Sequence, residues 1–436
     1  MSNSRSFDQG TVVIGTLFLS LGLLYGIWYA YSVFLVALID HFGWSRSITA
    51  GAMSLFIISH GVFGPFAGRL VEVFGPRRLM MSGSLVMAAG LLLSSWVNTW
   101  WQLYISFGLI SAVGLGACGW VPSVILTEKW FPNKVGTALG IVTAGIGVGI
   151  LVVVPLCNVI IESYDWRIAF QILAAMVLVF ILPAAFFILR EPSVDERVEA
   201  KCEKVESTLD AAIKGVSGQT KGESDERIKN DWTVSTAIRS RSFRFAVLAF
   251  FTGGCLTQLL IMHQFAFMVD HDIPKTIGSI IVGIIGIISI PGKIIWGSLS
   301  DRIGRELTYT LALACMFVSV IALALVDVVA GLLMPFIFAF FVGFGYSANA
   351  PIIPSVARDL FSGPRFPSIF GTLSMFSAMG GAVGSWLGGA LFDWFGNYHL
   401  MLLIAAGLCV FGPAMLWLAA PRNPQQAPDP AGFKGV

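Results

Sequence analysis

Ile284-Ile285-Gly286-Ile287-Ile288-Ser289-Ile290-Pro291-Gly292-Lys293-Ile294-Ile295-Trp296-Gly297-Ser298-Leu299-Ser300-Asp301-Arg302-Ile303-Gly304-Arg305 decides how this chain folds. It is an apolar run long enough to cross a bilayer, with one lysine deep inside it and a charged turn at its end. A cation at such depth costs at least about 2.5–3.5 kcal/mol on insertion scales. No carboxylate accompanies Lys293 within the apolar part, so the residue is expected to face a water-filled cavity where an anionic ligand becomes its partner. The competing reading is snorkelling toward Asp301, about eight residues and some 12 Å away along a helix; the lysine side chain spans only about half that distance.

Composition extends the local message to the whole chain. The sequence is 56% hydrophobic and 12% charged, with a mean hydropathy of +0.81, against roughly 25% charged residues in a soluble domain. A net charge of +2 without a concentrated basic face argues against a nucleic-acid partner. Six cysteines (Cys118, Cys157, Cys202, Cys255, Cys315 and Cys409) are scattered without the paired spacing of a zinc site or a disulfide frame. No metal and no cofactor are expected. The first apolar run, Thr11 to Leu38, is longer than a signal-peptide core and lacks a small-residue cleavage pattern, so it reads as a retained first span.

Windows of about 20 apolar residues, the length that crosses about 30 Å of hydrocarbon, fall at 11–38, 46–67, 79–98, 101–127, 135–161, 167–189, 243–268, 277–299, 307–326, 331–356, 367–391 and 398–420. Twelve helices are thus predicted. A polar stretch from Arg190 to Arg241 is too charged to insert and divides them. The predicted organisation is a six-helix bundle over 1–189, a cytoplasmic linker over 190–241, a second bundle over 242–422 and a cytoplasmic tail over 423–436. Basic residues set the orientation. With both termini cytoplasmic, the inner segments hold Arg69, Arg77, Arg78, Lys129, Lys134, Arg302, Arg305, Arg358 and Arg365, and the outer loops hold only Arg46, Arg167 and Lys275. The chain reads as a multi-pass protein of the cell (inner) membrane.

The halves repeat. Gly68-Arg69-Leu70-Val71-Glu72-Val73-Phe74-Gly75-Pro76-Arg77-Arg78 follows the second helix as Gly297 to Arg305 follows the eighth, with glycine, leucine, acid and glycine in the same order. Gly136-Thr137-Ala138-Leu139 is echoed by Gly371-Thr372-Leu373. Internal duplication of this kind marks transporter halves that rock about a site at their interface. The expected fold class is therefore all-α, with twelve transmembrane helices in two pseudo-symmetric six-helix bundles. Glycines at 140, 145, 147 and 149, and at 380, 381, 384, 388 and 389, are expected to be packing positions and the sliding surfaces of the rocking motion.

A twelve-helix chain with this duplicated glycine, acid and basic motif resembles the major facilitator superfamily. Within it, Phe42-Gly43-Trp44-Ser45-Arg46, Trp130-Phe131-Pro132, Asp165-Trp166-Arg167 and the basic residue of helix eight resemble the monocarboxylate transporter and oxalate–formate antiporter branch. The first motif copy departs from the family at Glu72 and Val73, where aspartate and arginine are usual. The motif implies a latch of Gly68, Glu72, Arg77, Arg78, Asp301, Arg302 and Arg305 joining cytoplasmic helix ends by charge-assisted bonds; the alternative is a solvated turn carrying positive-inside charge.

The helix-eight residue of that branch is normally an arginine that binds the substrate carboxylate. Lys293 replaces its fork with a point charge. Dicarboxylate antiporters of the branch carry a second cation in helix eleven, where Ser377 aligns here, so one carboxylate is favoured over two. Tyr29 stands where the branch has lysine or tyrosine, and Trp120 and Tyr346 align near substrate-facing aromatics, although tryptophan and tyrosine also serve as interface anchors. His263 and Asp270, seven residues apart on nearly one helical face, resemble residues lining the substrate route. His263, Asp270 and Lys293 are the candidate proton-coupling groups; the alternative for His263 is a neutral ring hydrogen-bonded to a neighbouring helix. Some eukaryotic relatives place an aspartate four residues before the basic residue, where Ser289 stands here. His60 is read as a structural hydrogen-bonding group.

The expected function is secondary active transport of a small monocarboxylate of the lactate or pyruvate type, coupled to a proton and working as a monomer by alternating access. The alternatives are an organic-anion exchanger of the oxalate–formate type and an exporter of lipophilic compounds, the latter disfavoured because no mid-membrane carboxylate is present to attract a cation. No catalytic residues are expected: the chain shows no metal-ligand cluster and no nucleophile beside a base.

Overall fold

A computed structural model describes residues 2–131, 135–192, 232–329, 331–361 and 366–419. Among them twelve helices are long and apolar enough to span a membrane: α1 Gln9–Phe42, α2 Arg46–Phe74, α3 Pro76–Ser95, α4 Trp100–Trp130, α5 Thr137–Ser163, α6 Trp166–Ile188, α7 Arg241–Asp270, α8 Lys275–Ile303, α9 Arg305–Ala324, α10 Leu333–Leu360, α11 Ser368–Phe395 and α12 His399–Ala419. In hydrocarbon every backbone group must find its partner within the protein, which helices achieve segment by segment. Most of the expected 190–241 linker and all of the expected 423–436 tail lie outside the described residues. The near end of that linker forms a short helix, Val234–Arg239, capped by the Thr233 hydroxyl, which accepts from Thr236 N.

Two large apolar cores result, beside a small cluster of Ala67, Val71, Leu79 and Ala117. One gathers buried side chains from Val13 to Leu189, the other from Trp232 to Ala419, and residues such as Met262, Phe265 and Ala382 of the second half pack into the first. Large apolar residues remain on the outside, among them Leu19, Val179, Phe187 and Leu403, as a lipid-facing surface requires.

Helix ends differ from expectation at the duplicated motif. Gly68 to Phe74 and Gly297 to Ile303 are the last turns of α2 and α8 rather than loops. The reversal is confined to Gly75 and Gly304, with φ of 80° and 92°, a left-handed conformation that favours glycine; Pro76 then opens α3 at a position that needs no N–H. Pro291 and Gly292 lie inside α8, which runs on through both. The breaks lie at equivalent places in the two halves instead: Gly119 in α4, and Ser347 with Ala348 in α10. Gly292 serves the second break, since a β-carbon there would fall on the Ser347 hydroxyl.

The glycine runs also divide differently. Gly145 and Gly149 press on the α1 backbone at Phe18 and Gly22, and Gly380 and Gly384 on the α7 backbone at Phe251 and Cys255, so these face partners within their own half. Only some meet the other half: Gly147 abuts the Gly286 carbonyl of α8, Gly286 abuts the Gly147 carbonyl in return, and Gly389 abuts the backbone of Arg46 and Ser47. G147V should therefore force α5 from α8, at about 1–3 kcal/mol of overpacking strain; a thermal unfolding curve of purified protein should shift down, and an unchanged midpoint would refute the contact.

Candidate functional site

Between the halves lies a cavity of about 390 Å³. Helix α1 contributes Tyr25, Trp28 and Tyr29, α2 contributes Ile57 and His60, and α5 contributes Ile146. From the second half come Gly254, Thr257 and Gln258 of α7, Lys293 of α8, Tyr346, Asn349 and Ala350 of α10 with Ser347 at its break, and Ser374, Ser377, Ala378 and Gly381 of α11. Lys293 is the one cation in this lining, no carboxylate lines it, and among the described residues the ammonium makes no ion pair or hydrogen bond. A lone cation in a concave, partly aromatic site is poised for one anionic group.

The sequence candidates separate into two groups. Lys293, Tyr29, Tyr346 and Ser377 come together in the cavity. Tyr29 of the first half and Tyr346 of the second line the cavity together, so phenol hydroxyls from both halves share it with Lys293. Within the second half, the Asn349 side-chain amide donates to the Thr257 hydroxyl at 3.1 Å. Trp120, His263 and Asp270 are not brought there: Trp120 is 40% exposed on α4 outside the lining, and the other two belong to a different cluster.

That cluster closes the end of the molecule bearing Arg46. The Arg46 guanidinium meets Asp270 at 2.7 Å, donates to the Tyr398 hydroxyl and lies 3.6 Å over the Phe392 ring. Its backbone N–H and that of Ser47 donate to the two oxygens of Asp393, at 2.9 and 2.8 Å, so a carboxylate of the second half caps the N-terminus of a first-half helix. Lys275 and Asp40 add a second cross-half pair at 2.9 Å. His263 is fully buried, its Nε2 2.8 Å from the Ser385 carbonyl and its Nδ1 3.4 Å from the Tyr398 hydroxyl. With Nε2–H donating and Nδ1 accepting, the neutral ring satisfies both contacts. Burial pushes the Tyr398 hydroxyl well above the usual phenol range, so it stays a protonated link between Arg46 and His263.

Ion pairs at the other end, made by described residues, stay within one half. Arg305 bonds Asp301 at 2.5 Å and Asp359 at 3.1 Å, tying the ends of α8, α9 and α10 together. Lys129 pairs with Glu191 at 2.9 Å. Of the first motif copy, Arg77 donates to the Phe186 carbonyl, while Glu72 and Arg78 are exposed and unpaired among the described residues, as is Arg302 of the second. Of the residues expected in a latch, Arg305 and Asp301 make ion pairs among the described residues, while the helical ends of α2 and α8 leave Glu72 and Arg302 exposed. Gly68 has open space around it.

Asp393, Tyr398 and the cavity groups His60, Gln258, Thr257 and Asn349 were not singled out as site residues by the sequence. The useful signal for Asp393 and Tyr398 was available in part: an acid and a tyrosine flank the expected outer loop between α11 and α12, opposite the outer Arg46.

Comparison with known proteins places this geometry. A family model described as Major Facilitator Superfamily matches residues 17–338 and 329–435. Monocarboxylate transporter 3 of Rattus norvegicus is 27% identical over 406 residues, covering 91% of this chain and 76% of the relative. Monocarboxylate transporter 2 of Homo sapiens is 24% identical over 416 residues, covering 94% and 84%. Among solved structures, the inward open conformation of the xylose transporter XylE from E. coli superposes with a TM-score of 0.72 at 14% identity, over 97% of this chain and 98% of that one. A bacterial homolog of the human lysosomal transporter Spinster, inward-facing and occupied, gives 0.65 at 14% identity, over 94% and 92%. The helices, the duplicated motif and the family match spanning nearly the whole length agree: the chain belongs to the Major Facilitator Superfamily of membrane transporters, is not an enzyme, and in sequence sides with the monocarboxylate transporter branch.

Proposed function

We propose that the protein is a secondary active transporter of a small monocarboxylate anion, coupled to a proton, that works as a monomer by alternating access in the cell membrane with both termini in the cytoplasm. The observation that carries the reading is Lys293, the lone cation of the cavity between the halves. One fixed charge suits one carboxylate, and the Tyr29 and Tyr346 hydroxyls beside it offer donors for the remaining oxygen lone pairs. The relatives named as monocarboxylate transporters support the same substrate class. Cross-half ion pairs at the Arg46 end, with only within-half pairs among the described residues at the other, fit a state sealed on the outside and accessible from the cytoplasm.

Purified protein in proteoliposomes should exchange labelled lactate, pyruvate or acetate in counterflow, respond to an imposed pH gradient, and fail to move cationic dyes. Preferential transport of oxalate, or of a lipophilic cation, would overturn the assignment in favour of the exchanger or the exporter.

A further inference from the structure

We propose that His60 of α2 is the group that carries the proton, a role resting on the transport reading above. Three observations lead there. His60 lines the cavity from the first half while Lys293 lines it from the second. The His60 ring makes no hydrogen bond among the described residues; its aromatic neighbour is Trp28, edge-on at 5.2 Å and 85°. The other four of the chain's five histidines are elsewhere: His263 is locked between Ser385 and Tyr398, and His41, His271 and His399 lie at the Arg46 end of their helices.

The surroundings leave few competitors. Facing His60 are Tyr25 and Tyr29 from α1, Lys293 from α8 and Tyr346 from α10. Cys118 of α4 sits beside Tyr25, and α7 and α11 present only neutral Thr257, Gln258, Ser374 and Ser377. An imidazole is the one side chain among these types that ordinarily changes charge between pH 5 and 8. A free nitrogen at the wall of this cavity gains a proton when the cavity opens to water on one side of the membrane and returns it when the cavity opens to the other, with no bond of the substrate made or broken.

Charge balance explains the coupling. A carboxylate held by Lys293 moves one negative charge; a proton on His60 moves one positive charge with it, so the pair crosses as neutral cargo. The imidazolium also faces the bound anion from the opposite half, so each ligand favours binding of the other by the same factor. Because the two groups sit on different halves, the anion between them draws those halves together.

The test uses full-length protein in proteoliposomes with an inward gradient of about one pH unit, which supports roughly tenfold accumulation at one proton per anion. Wild type should accumulate labelled pyruvate to about that extent and H60Q should show about none. If wild type itself exchanges pyruvate but does not accumulate it, proton coupling fails and this role with it. If wild type accumulates and H60Q accumulates equally, His60 is overturned and the transport reading stands. A second measurement covers loss of flux in the variant: in detergent and weak buffer, a pH-indicator dye should report about one proton taken up per labelled pyruvate bound by wild type and none by H60Q. Undiminished uptake per bound anion in H60Q would assign the proton to another group.

Discussion

Lys293→Ala is expected to abolish uptake while the protein still reaches the membrane and purifies as a folded species. Truncating one partner of a desolvated charge pair costs about 2–5 kcal/mol, a loss of roughly 30-fold or more in anion affinity, and no other lysine or arginine lines the cavity to compensate. Stability should not fall in parallel, since the free ammonium has no partner among the described residues and its removal relieves a desolvated charge. Lys293→Arg separates charge from shape: an arginine restores the fork that grips a planar carboxylate with two parallel bonds. That variant should retain binding, measured by the pyruvate concentration giving half-maximal counterflow. Wild-type uptake by K293A would remove the lysine from the transport path.

The second large effect is expected at the opposite end. Arg46→Ala deletes the ion pair with Asp270, the bond to Tyr398 and the stacking on Phe392 together, and charge-assisted hydrogen bonds contribute about 1.5–3 kcal/mol each. The seal should open, shifting the population toward the outward-accessible state by roughly tenfold or more. Asp393→Asn is the milder companion, because the amide still accepts one backbone N–H but loses the charge that complements the end of α2. Labelling of a cysteine introduced at Ser279, buried one turn inside the Lys275 and Asp40 pair, should speed up in both variants, more in R46A. Unchanged labelling in R46A would show that the Arg46 cluster does not govern closure.

Much of this was legible in the sequence, for identifiable reasons. Apolar windows and the repeated motif revealed twelve helices and the duplication, since both depend on composition along the chain. Lys293 stood out because its residue type contradicts its surroundings. Rotational phase is harder to read: the sequence marks His60 as a structural histidine and leaves His263 open between the substrate route and a neutral ring bonded to a neighbouring helix, whereas the structure puts His60 in the cavity wall and bonds His263 to Ser385 and Tyr398. Both sit in apolar helices where one residue of shift turns a side chain by about 100°, and no nearby charge betrays which face meets water. Helix ends were misjudged at Gly68 and Gly297 because a charged motif looks like a loop, whereas the turn itself needs only Gly75 and Gly304. The Asp393 cap escaped because its partners are backbone N–H groups more than 300 residues away in sequence, which no spacing rule can find.

The mutual approach of Gly147 and Gly286 has a mechanical consequence. Gly286 lies about 10 Å along α8 from Lys293, but about 25 Å from Ile303, taking 1.5 Å per residue. If that tight crossing acts as a fulcrum, tilting α8 sweeps its far end some two and a half times as far as the ammonium. The charged rim can then swing widely while the anion, riding near the axle, scarcely moves.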